Sequence, residues 1–279
     1  WASPSTDHPM AQLLLRGTDL GDVDAVLFDK DGTLSISEPE LLTLAAARVF
    51  LCLEQVEPGL RPELERLLRR AYGLLQLQAD ADAPAQPAIC PAGITAVASR
   101  DHNLIATATA LVQVGLGWPE ALAISEQVFA EADAADARRA AAARADARPT
   151  SRTTAGLRSW LEQLQAAGVR CAVISNDDIA GIEHFLSSHQ LAHLFGAIWS
   201  AEHRPRKPDP AAVHGLCAEL GVPAGRCALI GDANSDLRMA VAAGIPHQRA
   251  LGYVAAWSSP PPLAEPHPLV HHWSELDVA

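Results

Sequence analysis

The feature that most constrains the fold is a repeated order of elements in the second half of the chain: a helix, a glycine, an apolar run and a polar turn. Residues 157–167 have helical periodicity and stop at a glycine, and the apolar run 169–174 follows and ends in polar residues. The same order returns at residues 211–220 and 227–230. Glycine commonly terminates a helix by adopting the left-handed conformation. Because parallel strands need crossover connections, this repeated order predicts a parallel sheet with helices between its strands.

A similar apolar run lies near the start of the chain, at residues 23–28. It is rich in β-forming residues and leads directly into a polar Asp-Lys-Asp-Gly-Thr segment, which is typical of a buried strand followed by a turn. In open parallel sheets, ligands bind at the carboxyl ends of the strands. We therefore expect Asp29, Ser175 and Asp232, each of which follows an apolar run, to face one crevice.

The region between the first two runs differs in composition. It is rich in Ala, Leu, Glu and Arg, has almost no β-branched runs, and contains a break rich in Pro and Ala at residues 79–91. Its periodicity predicts helices at residues 38–56, 63–78, 103–116 and 119–147. The predicted fold class is therefore α/β, a doubly wound parallel sheet with an α-helical cap inserted after the first strand.

The same reasoning predicts the domain boundaries. Residues 17–36 and 150–279 form the predicted catalytic core, and residues 37–149 form the predicted helical cap. Residues 1–16 are interpreted as an N-terminal extension.

Charge and hydropathy exclude several classes of partner. The net charge of -12, without a dense block of Lys and Arg, opposes binding to nucleic acid or to an anionic membrane. No apolar run approaches the roughly 20 residues that a membrane-spanning helix needs, so we expect a cytoplasmic location. The five cysteines are scattered without a Cys-x-x-Cys pair, which favours reduced thiols. The sequence leaves the oligomeric state open.

The first candidate site is the turn after the first strand. Asp29 and Asp31 are two residues apart, and an extended backbone would point both side chains the same way. One carboxylate could then attack while the other moves a proton. Gly32 permits a tight turn, and Thr33 can donate a hydrogen bond to a phosphate oxygen or brace the Asp pair. An ordinary Asp-Gly turn is the alternative.

Two further candidates follow the later strands. Ser175 could donate to a phosphoryl oxygen, with Asn176 beside it at the substrate, although such a sequence is also a good strand end and helix cap. Lys207 precedes a predicted helix in which Asp209 is the cap and Pro210 the first residue. The positive end of a helix dipole suits an anion. A solvated surface lysine is the alternative.

The fourth candidate site follows the third apolar run. Asp232 and Asp236 supply two carboxylates four residues apart. Mg²⁺ prefers such oxygen ligands and completes its shell with water and substrate phosphate. Asp232 and Asp236 are therefore candidate ligands of Mg²⁺.

Together, these four segments resemble the haloacid dehalogenase superfamily, whose four motifs they match in order. The cap-like insertion resembles that of the subfamily that includes phosphoglycolate phosphatase and β-phosphoglucomutase. This resemblance implies that Asp29 attacks phosphorus and forms an aspartyl-phosphate. It implies that Asp31 protonates the leaving oxygen and then activates water. It also implies that Mg²⁺ is the cofactor, held by the carboxylates of Asp29 and Asp232 and the backbone carbonyl of Asp31, with Asp236 as a ligand or a support for the ligands. The phosphoryl oxygens would be held by Thr33, Ser175 and Lys207.

The residue two positions after the nucleophile separates members of this superfamily. Dehalogenases lack a carboxylate there and phosphorylating pumps carry Thr, so Asp31 favours phosphate esters. The resemblance thus implies a Mg²⁺-dependent phosphatase acting on a small-molecule phosphate ester. A sugar-phosphate mutase or a non-enzymatic binding protein of the same fold are the alternatives. One departure is Lys30, where these phosphatases usually carry an apolar residue, and the sequence predicts no consequence for it.

Substrate selection is expected to come from the inserted region. Arg100 and His102 lie in a polar cluster between helical stretches and could meet an anionic or hydroxylated leaving group. The alternative is a solvated loop that only caps a helix. Phosphoglycolate is the leading substrate candidate by resemblance.

Overall fold

The structure is a computed structural model that describes residues 11–78, 84–146, 148–263 and 266–279. Within these ranges the strands are, in chain order, β1 (Ala11–Leu15), β2 (Thr18–Val23), β3 (Ala25–Phe28), β4 (Ser35–Ile36), β5 (Leu74–Leu77), β6 (Gln86–Ile89), β7 (Arg152–Thr153), β8 (Arg170–Ile174), β9 (Ala197–Trp199), β10 (Cys227–Gly231), β11 (Ala250–Tyr253), β12 (Leu269–Val270) and β13 (Leu276–Val278). The α-helices are α1 (Glu38–Glu54), α2 (Arg61–Tyr72), α3 (Ile94–Val97), α4 (Arg100–Gln113), α5 (Trp118–Ala145), α6 (Leu157–Ala166), α7 (Ile179–Ser188), α8 (Pro210–Leu220) and α9 (Asn234–Ala242).

The main sheet is parallel and has six strands in the order β12-β11-β10-β3-β8-β9. The chain runs from β3 outward through β8 and β9, and then returns to add β10, β11 and β12 on the other side. Strand order therefore reverses between β3 and β10. This doubly wound arrangement confirms the predicted α/β fold class, and the reversal point is where such sheets bind ligands.

The central strands end together at one edge of this sheet. Every residue of β3 and of β10 is buried, as expected for parallel strands that are covered on both faces. In the strand register, Phe28 lies beside Ile230 on one side and Val173 on the other. The polar residues that follow β3, β8 and β10 therefore emerge at the same edge.

The chain divides into two compact units. Unit 1 consists of Trp1–Leu34, Thr153–Tyr253 and Glu265–Ala279, and unit 2 of Ser35–Arg152 and Val254–Ala264, as far as these residues are described. The second segment of unit 2 was predicted to belong to the core. A buried carboxylate explains its placement, because Glu38 accepts hydrogen bonds from the backbone N–H and the hydroxyl of Ser258 at 2.8 and 2.7 Å.

The prediction of an N-terminal extension over residues 1–16 is wrong for its last part. Ala11–Leu15 is a strand that pairs antiparallel with β2 and with β13. Its residues alternate between buried and half-buried, which matches a strand with one face against the core. Five residues are too few for that alternation to be distinctive, and one partner lies at the other end of the chain. Residues 1–10 lie outside the described residues.

Unit 2 is not entirely helical. The helix predicted at residues 63–78 ends at Tyr72, where Gly73 has a φ of +73° and terminates α2. Leu74–Leu77 then pairs antiparallel with Gln86–Ile89, inside the predicted break, whose residues 79–83 lie outside the described residues. The apolar Leu-Leu-Gln-Leu stretch fits a helix or a strand equally well, and only its partner decided between them.

The predicted helix boundaries are shifted at α4 and α5. The helix predicted at residues 103–116 is Arg100–Gln113, capped by the Ser99 hydroxyl, which accepts from the backbone N–H of His102. The helix predicted at 119–147 is Trp118–Ala145, and residue 147 lies outside the described part. None of the described helices combines the length and hydrophobicity that crossing a bilayer requires.

Candidate active site

Asp29 lies at the end of β3, at the point where strand order reverses. Its backbone N–H donates to the carbonyl of Ile230 at 2.9 Å, which extends the pairing of β3 with β10 by one residue. The side chain is 9% exposed. Burial raises the pKa of Asp29 to about 7, with Asp236 adding to the rise and Lys207 opposing it.

Lys207 lies between two buried aspartates. Its Nζ is 2.6 Å from Asp29 Oδ1 and 2.8 Å from Asp236 Oδ1, and it also donates to the carbonyl of Ile174 at 3.3 Å. Burial disfavours the charged ammonium, but Asp236 and Asp29 outweigh it and hold the pKa of Lys207 above its usual range. The side chain is 5% exposed, so the alternative of a solvated surface lysine is wrong.

The segment that carries Lys207 is fixed at both ends. At its start, Trp199 donates from Nε1 to the carbonyl of Pro205 at 2.9 Å. At its end, Asp209 accepts from the backbone N–H of Ala211 at 2.9 Å and caps α8, as predicted from the sequence. These contacts hold the loop that delivers the ammonium to the edge of the sheet.

Three carboxylates form a buried cluster at this edge. Ligand oxygens of Asp29, Asp232 and Asp236 all lie within 4.8 Å of one another. Gly231 permits this arrangement, because a Cβ at that position would lie 2.7 Å from Asp236 Oδ2. A set of carboxylate oxygens without nitrogen or sulfur donors fits Mg²⁺. The clustering brings together three of the four predicted metal ligands, while the role of the Asp31 backbone carbonyl stays a prediction.

Asp31 is turned toward the neighbouring lysine. Lys30 Nζ lies 2.9 Å from Asp31 Oδ1 and 3.0 Å from Asp177 Oδ2. Burial opposes the charge on Lys30, but Asp31 and Asp177 outweigh it and keep the pKa of Lys30 above its usual range. The Lys30 side chain is 9% exposed, whereas that of Asp31 is 36% exposed and reaches solvent.

The turn after Asp31 has the properties that the sequence predicted. Gly32 has a φ of +78°, a conformation that glycine adopts without strain. The Thr33 side chain is buried, and its Oγ1 has no hydrogen-bond partner among the residues that the structure describes. A buried hydroxyl of this kind is costly unless a ligand or water accepts from it. The backbone carbonyl of Thr33 accepts from the Thr154 hydroxyl at 2.9 Å, and Thr154 in turn accepts from Trp273 Nε1.

Ser175 and Asn176 follow β8. The Ser175 side chain is buried, and its Oγ accepts from the backbone N–H of Asp177 at 3.1 Å, which leaves the hydroxyl proton available for donation. Asn176 is exposed beside it. Both residues lie at the edge of the sheet that carries Asp29, and their roles stay predictions.

Arg100 and His102 belong to unit 2 and lie in the first turn of α4. Arg100 Nε is 2.5 Å from Asp133 Oδ2, and Asp133 also pairs with Arg48 at 3.0 Å. His102 is exposed. The polar cluster predicted between helical stretches is therefore the start of α4 itself, while contact of Arg100 and His102 with a substrate stays a prediction.

Two residues that hold the site were missed by the sequence reasoning. Asp177 pairs with Lys30, and Thr154 braces the turn that contains Thr33. The position of Lys30 just after a buried apolar strand could have suggested an acidic partner, because a buried ammonium needs one. The sequence carried no signal for Thr154.

With the fold and this geometry established, comparison with known proteins defines the class. Residues 23–244 match the family of haloacid dehalogenase-like hydrolases, and the chain belongs to that family. It is 35% identical over 114 residues to a phosphoglycolate phosphatase of Pseudomonas savastanoi pv. phaseolicola, a match that covers 40% of this chain and 41% of the relative. It is also 29% identical to an enolase-phosphatase E1 of Frankia alni, over 91% of this chain and 95% of that one.

Solved structures show the same fold. A predicted phosphoglycolate phosphatase from Haemophilus somnus 129pt superposes with a TM-score of 0.58 at 19% identity, over 91% of this chain and 96% of that one. The match to the curated phosphoglycolate phosphatase spans only about two fifths of that protein's length. The match over residues 23–244 shows the family of this chain, and its activity is a proposal.

Proposed function

We propose that this chain is a Mg²⁺-dependent phosphatase that hydrolyses a small-molecule phosphomonoester through an aspartyl-phosphate. The observation that carries the proposal is the buried Asp29 carboxylate at the strand-order reversal, 2.6 Å from an ammonium and clustered with two further carboxylates. A scaffold protein would have no need to keep these charges buried together, since each costs free energy to desolvate. The non-enzymatic alternative is therefore disfavoured.

The reaction assigns a distinct task to each side chain. In the first step, an oxygen of Asp29 forms a bond to phosphorus as the ester P–O bond breaks, and Asp31 gives a proton to the departing alcohol. In the second step, Asp31 takes a proton from water, whose oxygen attacks phosphorus and releases Asp29 as a carboxylate. Lys207 and the hydroxyls of Thr33 and Ser175 hold the phosphoryl oxygens.

The carboxylates of Asp29, Asp232 and Asp236 would hold Mg²⁺. A bound Mg²⁺ supplies positive charge that offsets repulsion between the phosphate and the aspartates. Lys207 supplies a second cation from this chain, which is consistent with an anionic substrate despite the net charge of -12.

Phosphoglycolate is the leading substrate candidate, because curated relatives with that activity match 40% of this chain. Arg100 is the residue proposed to meet a substrate carboxylate, which requires it to leave or share Asp133. The longer match to an enolase-phosphatase favours including other small phosphate esters in any substrate panel.

A sugar-phosphate mutase is the alternative within the same chemistry. A mutase returns the phosphoryl group to a sugar phosphate and depends on an activating bisphosphate. Release of inorganic phosphate from simple esters without added bisphosphate would support the phosphatase. Turnover that requires the bisphosphate would support the mutase instead.

The direct test is to replace the proposed nucleophile. We expect Asp29→Asn to fold and to lose turnover, because the amide cannot attack phosphorus. With ³²P-labelled substrate, the wild-type protein should acquire a label that hydroxylamine removes, and Asp29→Asn should not. Asp22→Asn, at a carboxylate remote from this edge, is the control and should retain labelling. A labelled Asp29→Asn protein would remove Asp29 from its role.

A further inference from the structure

The chain has two lysines, Lys30 and Lys207, and their side chains are only 9% and 5% exposed, next to the proposed acid and nucleophile. Lys207 bridges Asp29 and Asp236, and Lys30 bridges Asp31 and Asp177. The proposed function accounts for Lys207 alone. Lys30 therefore needs its own explanation, because placing a second buried ammonium here costs desolvation energy.

The surroundings of Lys30 fix its ammonium in one place. Nζ lies 2.9 Å from Asp31 Oδ1 and 3.0 Å from Asp177 Oδ2, and 5.7 Å from the centre of the Phe185 ring. Asp177 is itself held, because its Oδ1 accepts from the backbone N–H of Asp178 at 2.8 Å. Gly181 leaves room for this carboxylate, since a Cβ there would lie 2.7 Å from Asp177 Oδ2.

Asp31 is more exposed than the buried charges of the site, and its neighbour Asp177 is similarly exposed at 32%. The Asp31 side chain is 36% exposed, compared with 9% for Lys30 and 9% for Asp29. An aspartate near solvent loses rotamer freedom when it is held in one orientation. A fixed ammonium that binds one carboxylate oxygen can impose that orientation on the group.

We propose that Lys30 is a positioning residue that, anchored by Asp177, orients the Asp31 carboxylate for proton transfer. This inference rests on the proposed function, since it assumes that Asp31 is the general acid and base. Lys30 does not touch the substrate; it acts through Asp31. An apolar residue at position 30 would leave Asp31 to adopt several rotamers, and proton transfer depends on its distance from the leaving oxygen.

The test compares substrates whose leaving groups differ in their need for a proton. An alkyl phosphate such as glycerol 3-phosphate releases a strongly basic alkoxide unless it is protonated, whereas 4-nitrophenyl phosphate releases a stable phenolate. The parameter is kcat/KM, which reports the steps up to departure of the leaving group. For Lys30→Met we expect a loss of roughly tenfold on the alkyl ester and less than about threefold on the aryl ester, since acid catalysis as a whole contributes about 10²–10⁴-fold.

Asp31→Asn separates failure of this inference from failure of the proposed function. Suppose that Asp31→Asn loses more kcat/KM on the alkyl ester than on the aryl ester, while Lys30→Met loses equally on both. That result would overturn the positioning role alone. Equal losses for Asp31→Asn on both esters would overturn the acid role, and the inference with it. Higher alkyl-ester activity in Lys30→Met would show that Lys30 holds Asp31 in an unproductive orientation and would also overturn the proposal.

Removing the ammonium leaves Asp177 without its partner, so folding needs a separate control. The double variant Lys30→Met/Asp177→Asn removes both charges, and we expect the same selective loss at close to the wild-type melting temperature. A well-folded double variant whose kcat/KM on both esters equals that of the wild-type protein would refute the proposal.

A spectroscopic readout tests the contact itself. Protein labelled with ¹³C at the lysine ε position should give one signal for each of the two lysines. The signal that disappears in Lys30→Met belongs to Lys30. We expect Asp31→Asn to shift that signal and to leave the Lys207 signal in place, and an unshifted Lys30 signal would overturn the proposed contact.

Discussion

Replacement of Lys207 by Met tests both the stability and the chemistry of the site. The variant would keep the length of the side chain and remove the charge between Asp29 and Asp236, whose side chains are 9% and 4% exposed. Breaking a buried ion pair by removing one partner typically costs about 3–5 kcal/mol. For a protein of this size, about 1 kcal/mol lowers the melting temperature by roughly 2–4 °C, so we expect a fall of about 10 °C in the absence of metal.

Mg²⁺ should offset much of this loss. Without the ammonium, the cation would meet uncompensated carboxylates, so saturating Mg²⁺ should raise the melting temperature of Lys207→Met more than that of the wild-type protein. Binding at about 100 times Kd contributes roughly 2.7 kcal/mol. Even with metal, the kcat of Lys207→Met should be about 10²–10³-fold below that of the wild-type protein, because a cation that stabilises the transition state is gone.

The assay is thermal unfolding with and without Mg²⁺, together with phosphate release. Arg226→Met is the matched control, because Arg226 also bridges two aspartates, Asp22 and Asp24, but at 26% exposure and away from the sheet edge. For that control we expect a loss of about 1 kcal/mol or less in the free energy of unfolding, and the same change in melting temperature with Mg²⁺ as for the wild-type protein. A Lys207→Met protein that melts like the wild type, or that retains most of its turnover, would refute the reasoning.

Three further predictions address the metal, the pH dependence of stability and the substrate. Excess chelator should silence phosphate release, Mg²⁺ should restore it and Zn²⁺ should restore it poorly because the proposed ligands are all oxygens; full activity in chelator would contradict the metal site. Hydrogen bonds from Arg226 at 2.6 and 2.9 Å hold the pKa of Asp24 below its usual value, so Asp24→Asn should lose up to about 1 kcal/mol at pH 7. Because the folded pKa is depressed, this contribution is present above the ordinary pKa of about 3.9 and is lost as the pH falls through the folded value, so denaturant unfolding of the two proteins should converge at acid pH. Arg100→Ala should reduce kcat/KM on phosphoglycolate by roughly tenfold while sparing an uncharged aryl phosphate, and equal losses on both would remove Arg100 from carboxylate binding.

Much of the fold and of the site could be predicted because the signals are local. A buried parallel strand is a short apolar run, and the residue after it lies at the carboxyl edge of the sheet wherever its neighbours are. Asp29 and Asp232 were therefore expected at one edge, and their ligand oxygens lie within 4.8 Å of each other. The cap of α8 by Asp209 is another local feature that the sequence predicted correctly.

The errors occurred where a distant partner decides the conformation. The Leu-Leu-Gln-Leu stretch of β5 became a strand because Gln86–Ile89 pairs with it, and Ala11–Leu15 became a strand because residues at both ends of the chain supply partners. Segment Val254–Ala264 joined unit 2 although it follows a core strand. Hydrophobic periodicity shows only whether a segment can bury one face. A short segment can satisfy the same pattern either as a helix or as a strand.

The sequence by itself determined which polar residues lie at one edge of the sheet, since Asp29, Ser175 and Asp232 each follow a strand of that sheet. Only the tertiary structure decided which charged side chains at this edge pair with one another. Lys30 is adjacent to Asp31 in the chain, yet its second partner, Asp177, comes from the loop after another strand. Lys207 reaches Asp29 across a sequence separation of 178 residues. Ion pairing depends on distances of a few ångströms and on burial, and neither quantity is encoded in local periodicity.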